Sequence, residues 1–320
     1  MDKRGLKAIY DAIKKAKKII ILPHARPDGD CMGTAFGLKD IIMSTYPDKA
    51  VYISGEETEY VKFLGKTDTL EDDDFKGALA IAVDTASKER IADQRFENAD
   101  FLIKIDHHLN VNSFGDIEYV DTTRPAAALI ILDLYNTFKD EYIMSEAGAR
   151  ALFTGTLTDT GRFKYPGVDG DTFRNVAMLY DVGLDAQSVY KQLDTKSEAL
   201  VRFKGYVLLN YKKTGHGVAY IEMTEALIEE YGVTIEEASS LVNELGVFDD
   251  CPIWVLFAEY EEKIVRARIR SKGPAINEVT NRFDDGGHPM VCGVNLATWD
   301  RAEALLEALD EHAKAYKETN

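Results

Sequence analysis

Three of the six histidines in this 320-residue chain, His24, His107 and His108, fall in two short stretches that also carry aspartates. His24-x-x-x-Asp28-x-Asp30 offers an imidazole and two carboxylates from one loop, with Gly29 letting the backbone turn sharply. Asp106-His107-His108 is the second stretch, and Asp84 stands alone at the end of an apolar run. These residue types suit hydrolysis of a phosphate ester, which needs an activated water and neutralised phosphoryl oxygens. Two metal ions about 3.5–4 Å apart supply both. Such a pair needs a bridging carboxylate, a role that suits Asp84, and terminal imidazoles and carboxylates; His107 and Asp159 complete the second set. Imidazole and carboxylate donors without thiolate favour Mn²⁺, with Mg²⁺, Co²⁺ or Fe²⁺ as alternatives.

The elements that must position these groups are legible as short apolar runs. Residues 18–22, 50–54, 78–83 and 101–105 read as strands, and 6–16, 32–46, 126–138 and 145–157 as helices. Their alternation predicts an α/β fold with a parallel sheet covered on both faces. In open α/β sheets ligands bind beyond the carboxyl ends of the strands, where His24, Asp28, Asp30, Asp84, Asp106, His107 and His108 all fall. The expected domains are 1–185, a connecting helix or linker over 186–212, and a smaller α/β domain over 213–320. In the latter, 218–222 reads as a strand, and 224–231 and 235–245 as helices. An antiparallel pair follows at 253–259 and 263–269, with its turn at 260–262, then a helix at 275–282, a tight turn at 284–288 and a terminal helix at 301–317.

Lys and Arg number 38 and Asp and Glu 55, a net charge of −17 that argues against coating long duplex nucleic acid. Phosphorylated substrates remain open, because a bound metal brings local positive charge to an acidic protein. Arg266, Arg268 and Arg270 alternate and so share one face of a strand, with Lys272 just beyond. Such guanidiniums grip phosphates bidentately, although cations on a strand also serve to block edge pairing. Gly286-Gly287-His288 offers backbone N–H groups and an imidazole to a terminal phosphate. Arg124 reads either as a phosphate contact or as a surface residue, and Cys31 as a small packing residue. Three scattered cysteines, Cys31, Cys251 and Cys292, make neither a disulfide framework nor a zinc motif and point to the cytoplasm. No apolar run is long enough for a signal peptide or a membrane span.

Taken together, His24-Ala-Arg-Pro-Asp-Gly-Asp-Cys-Met-Gly-Thr34, Val83-Asp84-Thr85, Asp106-His107-His108 and Thr158-Asp159-Thr160-Gly161 resemble the four motifs of DHH-family phosphoesterases, in the family's order. Arg270-Ser271-Lys272-Gly273 and Gly286-Gly287-His288 resemble the DHH-associated domain. The pairing is similar to the short two-domain members that act as oligoribonucleases and as phosphatases of 3′-phosphoadenosine 5′-phosphate (pAp). Asp284-Asp285, where the family shows more glycine, and Val291-Cys292-Gly293 depart from its pattern. The resemblance implies one metal on His24, Asp28 and Asp84 and another on Asp30, Asp84, His107 and Asp159. Asp106 then orients a neighbouring group, and His108 contacts the scissile phosphate or protonates the leaving oxygen. Arg268, Arg270, Ser271, Lys272, Gly286, Gly287 and His288 are the implied substrate contacts.

The expected function is that of a two-metal phosphoesterase, its site in a cleft between the domains. It would cleave short oligoribonucleotides or dinucleotides such as pApA, with pAp phosphatase activity beside it. An inorganic pyrophosphatase or exopolyphosphatase is the alternative, and a non-catalytic nucleotide sensor a more distant one. No membrane partner is expected, and a homodimer is left open.

Overall fold

The strands of the first half are runs of Ile, Leu, Val and Ala with no alternation, the pattern of strands buried on both faces. The computed structural model describes residues 3–109, 112–260, 263–283 and 286–319, and the chain divides into two compact units, Met1–Thr195 and Lys196–Asn320. The first unit opens with α1 (Lys3–Lys15), β1 (Lys18–Leu22), α2 (Gly29–Thr45) and β2 (Ala50–Ile53). It continues with β3 (Leu79–Val83), β4 (Phe101–Asp106) and β5 (Ile117–Val120). Four helices complete it: α3 (Ala127–Thr137), α4 (Glu146–Asp159), α5 (Gly170–Val182) and α6 (Ala186–Asp194).

The five strands form one parallel sheet in the order β2-β1-β3-β4-β5. Chain order reverses on either side of β1, so the crevice beyond β1 and β3 lies at a topological switch point. Both faces of the sheet are covered, as expected, but by different means. Ile19 and Ile21 pack with α1, α2, α3 and α4, whereas Ile20 and Leu22 pack with Phe75, Ile91 and Phe96 from short 3₁₀ turns and loops. The segments 54–78 and 84–100 lack a helical apolar period, so they cover that face with single side chains. The short strand β5 and the helix α5 are further elements absent from the expectation.

α2 has no polar face: most of its length is buried, and it lies antiparallel against α4. The close approach is built on small residues. A Cβ at Gly29 would stand 2.5 Å from Thr158 Oγ1, one at Gly33 2.6 Å from Ala151 O and Gly155 N, and one at Gly37 2.4 Å from Leu152 Cγ. The N-terminus of α2 is thereby held against the C-terminus of α4.

The second unit comprises α7 (Glu198–Asn210), β6 (Lys212–Lys213), β7 (Val218–Met223), α8 (Glu225–Tyr231), α9 (Ile235–Ser240), β8 (Ile253–Glu259) and β9 (Val265–Ser271). It ends with α10 (Asn277–Thr280), β10 (Gly287–His288), β11 (Val291–Leu296) and α11 (Trp299–Thr319). Its mixed sheet runs β10-β11-β9-β8-β7-β6, with β7 and β8 parallel and the other pairs antiparallel. The connecting helix expected within 186–212 is two helices. Val189 and Leu193 of α6 enter the first unit's core, Ser197 caps α7, and Leu200, Phe203 and Val207 enter the second unit's core. The expected turn at 260–262 and tight turn at 284–288 lie partly outside the described residues. Among the described residues no helix is long and apolar enough to cross a membrane.

Candidate metal centre

Parallel strands deliver their carboxyl ends to the same edge, and the register of β1, β3 and β4 sets what lies side by side there. Leu22 pairs with Ala82 and Val83 with Ile105, so the residues that follow each strand emerge abreast. Asp84 adopts a left-handed backbone (φ 52°), a conformation aspartate tolerates better than most residues. Its N–H donates to Ile105 O at 2.9 Å, which ties the turn to β4. Asp28 caps α2, its Oδ1 accepting from Asp30 N at 3.0 Å and Cys31 N at 3.1 Å. Asp30 lies in the first turn of α2 and accepts the N–H groups of Ala127 and Ala128 at the start of α3, so one carboxylate also fixes a second helix. Asp159 ends α4.

These elements bring all six expected ligands together. His24 Nε2 lies 3.7 Å from Asp84 Oδ2 and 4.0 Å from Asp28 Oδ1. His107 Nε2 lies 3.3 Å from Asp84 Oδ1, 3.4 Å from Asp159 Oδ2 and 4.0 Å from Asp30 Oδ2. Two ligands each about 2.1 Å from one ion at roughly a right angle sit about 3 Å apart, and wider angles separate them further. The observed spacings are therefore long for hydrogen bonds and fit donors facing a shared cation. Asp84 Oδ1 is buried and has no hydrogen-bond donor among the described residues, an arrangement that carries a cost unless a cation meets that oxygen. The donor set and this orphaned oxygen fit a divalent metal pair, with Asp84 between the two groups.

The electrostatics carry the same signature. Burial, and next the Asp30 charge, push the Asp84 carboxyl well above the usual range. Burial also raises Asp30, against the pull of His107. Asp159 is pushed up to about 7 by burial and by Asp30. Burial alone would lower His107, but Asp84, Asp30 and Asp159 outweigh it and push the imidazole up to about 10.

His107 Nδ1 is 3.1 Å from the carbonyl of Arg124, which as an acceptor fixes the proton on Nδ1 and leaves Nε2 for the carboxylate cluster. The Arg124 guanidinium is held by Asp133 through two bonds, at 2.7 and 3.0 Å, and it is the Arg124 backbone that meets His107. His108 Nδ1 donates to Asp106 Oδ1 at 2.8 Å. The same oxygen accepts the N–H groups of His107 and His108. Although burial pushes Asp106 up, its bonds from His108 and the charge of Lys104 hold it below the usual range.

The two family models that match follow the division of the chain. The DHH family N-terminal domain matches residues 18–156 and the DHHA1 domain residues 216–315. A Streptococcus mutans protein named "Probable bifunctional oligoribonuclease and PAP phosphatase NrnA" is 37% identical over 95% of this chain and 98% of its own. The chain belongs to the DHH family. A Bacillus subtilis relative, "Bifunctional oligoribonuclease and PAP phosphatase NrnA", is 33% identical over 97% of each chain. Among solved structures, an exopolyphosphatase-related protein from Bacteroides fragilis superposes with a TM-score of 0.89 at 25% identity, over 98% of each chain.

In the DHHA1 unit, β9 lies inside the sheet between β8 and β11, so its arginines do not guard an edge. Arg266, Arg268 and Arg270 share the half-exposed face, while Val265, Ala267, Ile269 and Ser271 point to the core. Arg268 stands opposite Gly293, and its Nε is buried without a hydrogen-bond partner among the described residues. Ser271 and Lys272 are placed otherwise than expected. The Ser271 hydroxyl donates to Pro274 O and accepts from Gly273 N, pinning a turn on the opposite face. The Lys272 ammonium donates to the carbonyls of Gly246 and Phe248. Gly287 and His288 form an exposed strand against β11, and a Cβ at Gly287 would stand 2.5 Å from Val291 O. Asp284 and Asp285 lie outside the described residues.

Three contributors escaped the sequence. Cys31 is more than packing: its sulfur joins His24 and Asp84 in a group whose ligand atoms lie within 4.8 Å of one another. Burial and the Asp84 charge hold its thiol protonated, and it accepts the N–H of His24. Lys104 is fully buried beneath Asp106. The backbone of Arg124 is the third. The alternation of Lys104 with Leu102 and Asp106 along β4 was the one available signal.

Proposed function

We propose that this chain is a phosphoester hydrolase that uses two divalent metal ions to cleave short oligoribonucleotides to mononucleotides and to remove the 3′-phosphate of pAp. The observation that carries the reading is the convergence of two histidines and four aspartates around the orphaned Asp84 oxygen. The names of the full-length relatives support the substrate class. His24, Asp28 and Asp84 would hold one ion, and Asp30, Asp84, His107 and Asp159 the other. Ions bound there acidify a water and neutralise phosphoryl oxygens. Mn²⁺ suits the imidazole and carboxylate donors. The Asp106 carboxylate only accepts, so the shared proton belongs to His108 Nδ1, and Nε2 is the atom that gives a proton to the leaving oxygen.

In the DHHA1 unit we assign phosphate binding to Arg268, Arg270, Gly286, Gly287 and His288, with Ser271 and Lys272 shaping the adjoining turn. The domains of the working enzyme are then residues 1–195 for hydrolysis and 196–320 for substrate binding. Cysteines 31, 251 and 292 are buried thiols rather than disulfides, which fits the reducing cytoplasm.

The test is product release from pApA, pAp and pyrophosphate in parallel, on metal-stripped protein reloaded with Mn²⁺. AMP from pApA and phosphate from pAp are the expected products. Consumption of pyrophosphate alone would overturn the substrate assignment, and no turnover with ions bound would overturn the hydrolase.

A further inference from the structure

Along β4 the side chains of Leu102, Lys104 and Asp106 share one face, and the strand neighbours of Lys104 there include Ala82. Lys104 is fully excluded from solvent. Its ammonium donates to Ala86 O at 3.0 Å, lies 3.4 Å from Asp106 Oδ2 and stands 4.8 Å from the Phe114 ring centroid. On the other side, Glu118 of β5 pairs with it in register, but the Glu118 carboxylate accepts from Ser113, Phe114 and Gly115. Removing an ammonium from water is costly, and a methionine would fill the same strand position without that cost. The charge therefore serves something at this position, and among the described residues it stands beside the Asp106 oxygen that accepts no hydrogen bond from them.

We propose that Lys104 is a positioning residue for phosphoester hydrolysis: bracketed by Asp106 Oδ2 and Ala86 O, its ammonium sets the Asp106 carboxylate so that Oδ1 holds His108 Nδ1–H and presents Nε2 to the leaving oxygen. Ala86 lies two residues beyond Asp84, so the same ammonium ties the loops that follow β3 and β4. Asp106 Oδ1 carries three donors, which fixes its direction only while Oδ2 is anchored from below. In the reaction, water oxygen adds to phosphorus and the bond from phosphorus to the leaving ribose oxygen breaks. That oxygen keeps the electron pair and takes the proton of His108 Nε2; the proton lost by water restores the imidazolium. The inference rests on the hydrolase reading given above, with His108 as the acid.

The discriminating experiment compares two substrates that differ in their leaving group. The full-length Lys104→Met variant, loaded with Mn²⁺, is assayed on pApA and on a nucleoside 5′-p-nitrophenyl phosphate, whose phenolate departs without a proton. General acids contribute about 10²–10⁴-fold and orienting partners about 10–100-fold, so kcat on pApA should fall about 10–100-fold. Loss on the nitrophenyl ester should stay below about threefold, with KM and calorimetric Mn²⁺ affinity unchanged. His108→Ala should show the same leaving-group dependence, and the double variant should be no worse than His108→Ala, because residues acting as a unit are not additive. Equal loss on both substrates, additive loss in the double variant, or unimpaired turnover of pApA would each overturn the role of Lys104. If Lys104→Met fails to fold by circular dichroism, Lys104→Gln, which keeps a donor for Ala86 O and removes the charge, reads the same comparison. Wild-type protein inactive on both substrates would instead remove the hydrolase reading itself.

Discussion

Gly33 is a sharp place to test whether helix spacing sets the metal centre. A Cβ there would meet two backbone atoms, Ala151 O and Gly155 N, at 2.6 Å, about 0.8 Å short of ordinary contact. Neither atom can turn aside as a side chain would, so Gly33→Ala must part α2 from α4. Overpacking of this kind costs about 1–3 kcal/mol. For a unit of this size that lowers the melting temperature by about 2–12 °C. The same displacement separates Asp28 and Asp30, at the start of α2, from Asp159 at the end of α4. Misplacement of reacting groups by about 1 Å costs on the order of 10²-fold in rate. Calorimetric melting without metal, Mn²⁺ titration and pApA turnover read the three consequences. Gly205→Ala in α7, where a Cβ meets nothing within 4 Å, is the control and should stabilise by about 0.5–1 kcal/mol. A Gly33→Ala protein that is destabilised yet binds Mn²⁺ and turns over as wild type would refute the coupling of helix spacing to the site. One with unchanged stability would refute the close packing itself.

Other perturbations separate binding from folding. Asp84→Asn should abolish turnover and weaken Mn²⁺ binding, yet raise the melting temperature of the metal-free protein at pH 8, since a buried carboxylate above its usual pKa is unfavourable when charged. A lower metal-free melting temperature would count against an orphaned charge at that position. Asp159, pushed up to about 7 when folded, binds more protons folded than unfolded, so its contribution is lost as pH rises from about 4 to 7. Metal-free wild type should lose stability relative to Asp159→Asn across that window, and a gain would reverse the assigned sign. Asp133→Ala leaves the half-buried Arg124 guanidinium without its carboxylate and should cost about 1–3 kcal/mol in a urea melt. By releasing the carbonyl that holds His107, it should also weaken Mn²⁺ binding about 10–100-fold. Unchanged metal affinity would separate Arg124 from the centre.

The candidate chemistry was legible in the sequence because most residues of the candidate metal centre are polar groups placed directly after apolar strands. His24, Asp28, Asp30, Asp84, Asp106, His107 and His108 needed only the strand positions to be read as one cluster, since parallel strands end on the same side, whereas Asp159, at the end of α4, was reached through its motif. The arginine face of β9 was legible for a similar reason: a period of two fixes which side chains share a face, whatever lies beside the strand. What stood next to what was decided by packing between segments far apart in the chain. No local pattern shows that Lys104 is buried under Asp106, that the Arg124 carbonyl orients His107, or that Ser271 turns away from the arginines. The glycines at 29, 33 and 37 are spaced as one face of a helix, but what that face touches is a property of α4, more than 100 residues on. Side-chain type and local period come from the chain itself; contact, burial and the charge a buried group carries arise only when the elements close on one another.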